Sequence, residues 1–395
     1  MMRNILITML LAVACFCSCK ESMSQLTDRV FDVAKQHAFN TDARLDADSH
    51  PRSIREDGTL RNSDALWWCS GFFPGTVWYI YEYTGDESVL ELARKSTAKL
   101  DSLVYNPKTH HDIGFQINCS YGNGYRLTGD STYLDMLEKA AAKLAKRFSP
   151  VVGCTMSWNW VDRPEDFPVI IDNMMNLELL MWAGREFGVD SLTSIARTHA
   201  NTTIKNHFRS DYTTYHGVVY NPVTGAIKQK RTFQGYSDDS SWARGQAWAI
   251  YGYSMMYDQT CKDGQPCEEY LSQAENIARM LIERLPEDGI PYWDFNCPNI
   301  PDTYRDASAG SLMASAFIQL STLTKDKSLS KACLKTAEKQ LRTLASEEYL
   351  AKPGENGDFL LKHSVGNIPL NLEVDAPQTY ADYYFIEALL RYKAL

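Results

Sequence analysis

The sequence predicts an all-α protein whose helices close into an (α/α)6 toroid, a ring of paired helices. Three observations predict this fold: helical periodicity dominates the chain, one turn motif recurs between the helices, and aromatic residues collect in loop-like segments. Strand-like alternation is scarce, and residues 218–220, ahead of Asn221 and Pro222, are one of the few hairpin candidates.

Helical segments account for most of the chain. Apolar residues recur every three to four positions, the spacing that gives a helix one buried face. The predicted helices cover residues 88–103, 132–148, 173–187, 271–285, 307–323 and 328–345. Nothing between residues 30 and 390 resembles a linker or a low-complexity tract, so we expect a single domain over residues 20–395.

The recurring turn motif joins these helices in pairs. It reads Thr-Gly-Asp at 84–86 and 128–130, with weaker copies at 187–192 and 323–328. Glycine can end a helix in the left-handed conformation, and the following Asp or Ser can cap the next helix. Copies spaced about two helices apart predict stacked helical hairpins. Five or six hairpins could close into a ring or form an open solenoid.

Aromatic residues favour the ring over the solenoid. Segments rich in Gly, Asp and Pro contain Trp67, Trp68, Trp158, Trp160, Trp242, Trp248 and Trp293. Core aromatics would lie in the helical stripes, so loop-borne ones predict a lined cleft that suits the flat apolar faces of sugar rings. The alternative is that Trp67, Trp68 and Trp248 only fill the middle of the ring.

The first residues have the form of a secretory signal. Arg3 precedes an apolar run over residues 5–16 that is too short to cross a bilayer, and Ser18 precedes Cys19. This is typical of a bacterial lipoprotein, with a signal peptide over 1–19 and lipid on Cys19. Cys15 is a second candidate, and an ordinary cleaved signal is the alternative. We expect a lipid-anchored protein of the periplasm or outer membrane.

Charge and cysteine usage exclude two classes of function. The net charge of −9 argues against a general nucleic-acid binder, whereas an anionic substrate requires only a few cations concentrated at its site. Three of the ten cysteines belong to the signal, and the rest show no CxxC pair and no Cys/His cluster, which argues against a zinc site. Cys261 and Cys267 could pair or remain free.

Two aspartates are the candidate catalytic groups. Asp172 follows three apolar residues at the start of an apolar helix, where it could also serve as the N-cap. A general acid needs a raised pKa, which apolar neighbours and a second carboxylate would supply. Asp112, after two histidines and before a Gly-Phe turn, is the natural second carboxylate.

Arg244 is the candidate anion clamp. It lies between Ala243 and Gly245, so a ligand carboxylate could approach it closely and bind in bidentate fashion. A structural pair with an aspartate is the alternative.

These segments closely resemble glycoside hydrolase family 88, the unsaturated glucuronyl hydrolases. The matching stretches are 68–83 (WCSGFFPGTVWYIYEY), 111–115, 171–176, 232–251, 292–310 and 380–384. The resemblance implies an (α/α)6 barrel without metal or other cofactor. It also implies removal of 4,5-unsaturated uronic acid from the non-reducing end of lyase-generated glycosaminoglycan oligosaccharides, by hydration of the double bond.

The same resemblance implies roles for individual residues. Asp172 is expected to be the general acid and base, with Asp112 as its carboxylate partner. The expected substrate contacts are His216, Gln234, Arg244, Trp248, Trp158, Trp68 and Ser364, with Trp160 as an alternative to Trp158. Ser364 lies in the segment 362–367, which could admit a sulfate or be a solvated loop.

Two other functions compete with this interpretation. Family 105 shares the barrel and the paired aspartates and removes unsaturated galacturonyl groups from rhamnogalacturonan products, but the long block 234–248 favours family 88. A non-catalytic glycan-binding lipoprotein would leave the pair of Asp112 and Asp172 unexplained.

Overall fold

The structure, a computed structural model, describes residues 21–160 and 162–395. The predicted signal peptide and Cys19 lie outside the described residues. Within these ranges the helices are α1 (Met23–Asp42), α2 (Phe72–Thr84), α3 (Glu87–Ala98), α4 (Ile113–Ile117), α5 (Asn123–Thr128), α6 (Leu134–Ala145), α7 (Leu177–Phe187), α8 (Asp190–His207), α9 (Ala243–Lys262), α10 (Glu268–Arg284), α11 (Ala307–Leu323), α12 (Lys327–Leu344) and α13 (Thr379–Lys393). None of the described helices has the length and apolar character needed to cross a membrane.

The helices alternate along the chain between an outer and an inner ring. The inner ring contains α2, the α4–α5 segment, α7, α9, α11 and α13, and the outer ring contains α1, α3, α6, α8, α10 and α12. Inner helices such as α9 and α11 are buried along most of their length, whereas α6 and α12 are amphipathic and bury one face. The last helix, α13, packs against α2 and closes the ring. The predicted (α/α)6 toroid is confirmed.

All six predicted helices are present; α11 has the predicted bounds, and the other five have shifted ends. α3 ends at Ala98, and residues 103–105 form a separate 3₁₀ turn. α7 begins only at Leu177, because the preceding Ile171–Asn176 segment winds as a 3₁₀ turn. A π-helical turn, Asn118–Gly122, joins α4 to α5.

The two full copies of the turn motif have the predicted conformation. Gly85 (φ 63°) and Gly129 (φ 66°) end their helices in the left-handed region. Asp86 accepts a hydrogen bond from the Ser88 N–H, and Asp130 caps the next turn in the same way. Each motif therefore reverses the chain between an inner and an outer helix.

The conformation predicted for the two weaker copies of the motif is only partly confirmed. Gly188 ends α7 in the left-handed region, but Val189 precedes α8 without a side-chain cap, and Asp190 is already the first helical residue. The last copy has no glycine: Thr324 has a φ of −70°, and only the cap by Asp326 on α12 is as predicted.

The described residues also form three small antiparallel sheets. They are β1 (His50–Ile54) with β2 (Leu60–Ser63), β3 (Phe148–Ser149) with β4 (Cys154–Thr155), and the sheet of β5 (Phe167–Ile170), β6 (Gly217–Tyr220) and β7 (Ile227–Arg231). The predicted hairpin at 218–222 is confirmed by the pairing of β6 with β7. β5 leads directly into the 3₁₀ turn that contains Asp172.

The cysteines of the described chain act as single thiols. Cys261 and Cys267 are unpaired, so the alternative of a bond between them is not realised in the structure. Five of the other thiols, those of Cys69, Cys119, Cys154, Cys297 and Cys333, are buried.

The start of α2 touches the next inner helix at Gly71. A Cβ atom on Gly71 would lie 2.2 Å from the Gln116 carbonyl oxygen. The side chain of Gln116 in turn donates to the carbonyls of Ala65 and Trp67 and to Ser70 Oγ. This close approach therefore orders the segment that carries Trp67.

We expect Gly71→Ala to lower the free energy of unfolding by on the order of 3 kcal/mol, because rigid backbone occupies the space of the added methyl group. Gly85→Ala is the matched control: nothing lies within 4 Å of its Cβ position, and only the left-handed φ is unfavourable, at about 1 kcal/mol. Urea denaturation of both variants measures the difference. Equal losses would show that the contact with Gln116 is not tight.

Candidate active site

A cleft of about 220 Å³ opens at the end of the ring where the inner helices begin. Its lining consists of Trp67, Trp68, His110, His111, Asp112, Trp158, Ile170, Asp172, Gln234 and Arg244. Asp112 immediately precedes α4, and Arg244 is the second residue of α9. The segments that contain Asp112, Asp172 and Arg244 therefore meet in one place.

Asp172 lies within the 3₁₀ turn before α7 and caps no helix. The N-cap interpretation is wrong, because the chain winds as a 3₁₀ turn from Ile171 and the α-helix begins only at Leu177. The carboxyl atom Oδ2 is buried and has no hydrogen-bond partner among the described residues. About 13% of the side chain is exposed, towards the cleft.

The pKa of Asp172 is raised to about 7. Burial is the largest cause, and the negative charge of Asp112 adds to it, while Arg244 and the indole of Trp248 act in the opposite direction. The group therefore exchanges a proton near neutral pH.

Asp112 is held as the ionised carboxylate. His110 Nδ1 lies 2.8 Å from its Oδ2 atom, and His111 Nε2 lies 3.3 Å from its Oδ1 atom. Burial raises the pKa of Asp112, but the two histidines together with Arg147 outweigh burial and lower it. Burial lowers the pKa of His111 to about 4. Burial also acts to lower the pKa of His110, but the charge of Asp112 and its hydrogen bond with His110 together outweigh burial and raise this pKa.

Two neighbouring carboxyls whose pKa values are shifted apart can divide acid and base work between them. Asp172 can carry a proton to a bound molecule at neutral pH, while Asp112 remains an anion beside it. The pairing predicted from residue types is present in the structure, at the mouth of an aromatic-lined ring.

Arg244 is fixed by four acceptors. Nη1 donates to Asp306 at 3.2 Å and to the Val365 carbonyl, and Nη2 donates to Gln234 Oε1 at 2.6 Å and to the Gly366 carbonyl at 2.8 Å. Arg244 thus forms the structural ion pair that the sequence left open and still contributes to the cleft lining.

Three expected contact residues are not part of the cleft lining. His216 Nε2 is 3.7 Å from Asp172 Oδ2, and its ring stacks on Trp242 with centroids 4.2 Å apart. Trp248 is buried within α9, not in a loop as the sequence predicts, and packs edge-on against Tyr384. Ser364 is fully buried and its Oγ has no partner among the described residues.

Two residues of this region were not predicted from the sequence. His110 was noticed only as a neighbour of Asp112, although a histidine next to a candidate carboxylate is itself a signal. Asp306 accepts from the N–H groups of Ser308 and Ala309 at the start of α11 and pairs with Arg244. An Asp-Ala-Ser sequence before an apolar helix is a cap signal that could have located it.

One cluster has the spacing of a metal site. His110, His111 and Asp112 offer three potential ligand atoms within 4.8 Å of one another. Both histidines contact Asp112 directly, so interactions within the protein account for the arrangement, and we assign no metal to it.

A larger cavity lies elsewhere. This cavity has a volume of about 650 Å³ and is lined by residues such as Tyr79, Glu178, Glu387 and Arg391. Neither Asp112 nor Asp172 contributes to it, and its carboxylates are bound by side chains: Glu387 accepts from Tyr79 and Tyr251. The smaller cleft, which combines both candidate aspartates, is therefore the candidate active site.

Known proteins are similar to this chain in sequence and fold. A relative from Formosa agariphila, an unsaturated glucuronyl hydrolase, is 46% identical over 327 residues, which cover 82% of this chain and 79% of the relative. The crystal structure of an unsaturated glucuronyl hydrolase specific for heparin superposes with a TM-score of 0.89 at 45% identity, covering 94% of this chain and 98% of the other.

A third match is a mutant unsaturated glucuronyl hydrolase from Streptococcus agalactiae in complex with dGlcA-GalNAc6S, with a TM-score of 0.80, 26% identity, and coverage of 95% of this chain and 93% of the other. The model of Glycosyl Hydrolase Family 88 matches residues 35–392. These findings favour family 88 over family 105, and the chain belongs to glycoside hydrolase family 88.

Proposed function

We propose that the cleft removes 4,5-unsaturated uronic acid from the non-reducing end of glycosaminoglycan oligosaccharides by hydrating the C4=C5 double bond. Family membership makes the chain a glycoside hydrolase. The names of the relatives support the substrate class. The observation that carries the mechanism is the pair Asp112 and Asp172, whose pKa values are shifted in opposite directions.

Protonated Asp172 begins the reaction by donating its proton to C4. Positive charge then develops at C5 and the ring oxygen, beside the anionic Asp112. A pKa near 7 suits this step, because the acid is still protonated near neutral pH and gives up its proton readily.

Water completes the addition at C5. The Asp172 carboxylate accepts a proton from this water as its oxygen bonds to C5, which restores the acid and gives a hemiketal. The ring C–O bond at C5 then breaks to leave a ketone at C5, and C1 collapses to an aldehyde and releases the second sugar as an alcohol. Separation rules for direct displacement at the anomeric carbon do not apply to this route.

The lining of the cleft supports binding of an acidic sugar. Trp68 and Trp158 offer aromatic faces, and Arg244 provides positive charge. Arg244 also donates a hydrogen bond to the Oε1 atom of Gln234. The amide N–H groups of Gln234 can therefore donate to other acceptors. His216 and Trp248 act from behind by packing around Asp172.

We also propose that Cys19 carries a lipid that anchors the chain in the periplasm or at the outer membrane. The support is the sequence: an apolar run after Arg3 and a serine directly before the cysteine. Ser22, which lies close to Cys19 in the sequence, caps α1. A tether so close to the ring would hold the enzyme near the membrane surface.

The central test is loss of the ultraviolet absorbance of the double bond in a panel of unsaturated disaccharides. We expect turnover by the wild-type chain and a loss of about 100- to 10,000-fold in kcat for Asp172→Asn, because the acid is removed. The same variant should be at least as stable as wild type at pH 8. The pKa of this carboxyl is about 7 in the folded chain and about 4 in the unfolded chain, so ionisation favours unfolding as the pH rises above about 4. Asparagine does not ionise and avoids this loss of stability.

Asp382→Asn is the matched control for that test. Burial raises the pKa of Asp382 to about 7 as well, but its oxygens accept from the Leu360 and Leu361 N–H groups outside the cleft. This variant should lose stability and keep its turnover once folded. Absence of turnover on every substrate would overturn the enzymatic proposal, and full turnover by Asp172→Asn would overturn only the residue assignment.

The rate should fall as pH rises through about 7, because deprotonated Asp172 cannot donate. Asp112→Asn removes a negative charge that raises the pKa of Asp172, so the alkaline limb of its residual rate should move to lower pH. Asp190→Asn, an exposed change on outer helix α8, should leave the limb in place. A limb that does not move with Asp112→Asn would contradict the coupling.

Cys19→Ser should release the protein from the membrane fraction and abolish labelling by a fatty-acid analogue, because the serine cannot form the thioether. Cys261→Ser, which alters an exposed thiol far along the chain, is the control and should change neither. Membrane retention of Cys19→Ser together with retained labelling would contradict the assignment of Cys19 as the anchor.

A further inference from the structure

An aromatic wall continues beyond the cleft. Trp158, which lines the cleft, meets Phe233 edge-on with ring centroids 4.8 Å apart, and Trp160 stacks against Trp158 at 6.1 Å. Trp160 and Phe233 also contact each other, at 6.0 Å. Both are half-buried, so this wall of three rings presents aromatic surface outside the region around Asp172.

Two guanidinium groups lie on the outer rings of this wall. Arg231 Cζ is 4.8 Å from the Phe233 centroid, and Arg163 Cζ is 5.5 Å from the Trp160 centroid. Within the part of the chain that the structure describes, Arg231 donates only a long hydrogen bond of 3.5 Å, to the Thr232 carbonyl. Over residues 21–160 and 162–395, neither arginine forms an ion pair with a carboxylate.

Two other arginines near the cleft form ion pairs with carboxylates of the protein. Arg244 is paired with Asp306, and Arg52, which lies 3.6 Å above the Trp67 ring, is paired with Glu373. Lys228, on the same strand as Arg231, is paired with Asp166. In a chain with a net charge of −9, two uncompensated guanidinium groups on one wall leave positive charge available to a ligand.

The chain connects this wall directly to the candidate active site. The segment that brings Trp158 to the cleft continues to Trp160 and Arg163, and the segment that brings Gln234 to the cleft carries Phe233 and Arg231 immediately before it. A sugar joined to a uronate in the cleft would leave the cleft along one of its walls. This wall offers both ring faces and charge.

We propose that Trp160, Phe233, Arg163 and Arg231 form an outer subsite that binds an anionic substituent on the leaving-group side of the substrate. The rings face the sugar, and the planar guanidinium groups match the oxygens of a sulfate or a carboxylate. The inference rests on the proposed function, because the unsaturated uronate must occupy the cleft. The anion is a sulfate on the second sugar or the carboxylate of the next uronate.

The experiment compares Arg163→Gln, Arg231→Gln and the double variant with the control Lys228→Gln. Three unsaturated substrates are used: a disaccharide sulfated on the second sugar, the same disaccharide without sulfate, and an unsulfated tetrasaccharide. We expect kcat/KM on a substrate with the recognised anion to fall about 10-fold in each single variant, mostly through KM, since the contact persists from ground state to transition state. Lys228→Gln and the unsulfated disaccharide should change less than about twofold.

The three substrates identify the anion. Loss confined to the sulfated disaccharide assigns a sulfate, and loss confined to the tetrasaccharide assigns a carboxylate. Equal losses on all three substrates, or none on any, would overturn the inference while the proposed function stands. No turnover by wild type on any substrate would instead overturn the proposed function.

A second measurement covers variants that fold poorly. The KM of the wild-type enzyme for the substrate with the recognised anion should rise more steeply with ionic strength than its KM for the unsulfated disaccharide, because salt screens the extra contact with partly exposed guanidinium groups. Parallel salt dependence for all three substrates would also overturn the inference.

Discussion

The buried ion pair between Arg244 and Asp306 holds together the end of the ring at which the cleft forms. Asp306 caps α11, and Arg244 lies in the first turn of α9, so the pair joins two neighbouring inner helices. Burying two charges is costly unless further hydrogen bonds satisfy them. The carbonyls of Val365 and Gly366 supply these bonds, which ties the loop before α13 to the same point.

The same pair shapes the electrostatics of Asp172. Arg244 alone would favour the ionised carboxylate, and its charge does lower the pKa of Asp172. Burial and the charge of Asp112 outweigh it, and Asp306 supplies the counter-charge that Arg244 needs elsewhere. The ring can therefore keep a cation beside the cleft without losing the proton on its candidate acid. Two histidines perform the reverse task for Asp112.

Local sequence signals predicted the parts of the fold that depend on local physics. The amphipathic outer helices α3, α6, α10 and α12 and the Gly-Asp turns after α2 and α5 follow from periodicity and capping. Two inner helices, α9 and α13, are buried on nearly every side and were not delimited, whereas α11, which is also buried along most of its length, was predicted at its observed bounds. The 3₁₀ winding at Asp172 also escaped prediction, because packing against α9 decides it. Residue types pointed to the two aspartates, but only the tertiary structure shows that His216, Trp248 and Ser364 are buried and do not line the cleft.

Closure of the ring by α13 has a consequence for how the chain comes into being. Tyr79 on α2 bonds to Tyr383 and Glu387 on α13, partners that lie 304 and 308 positions further along the chain. Synthesis delivers these partners last, and bringing such distant positions together is costly in chain entropy. An unfinished chain therefore exposes the apolar flanks of its first and latest inner helices. A solenoid that loses one repeat still buries the contacts between its remaining repeats. A ring that loses one helical pair loses the contact between its first and last inner helices and is no longer closed.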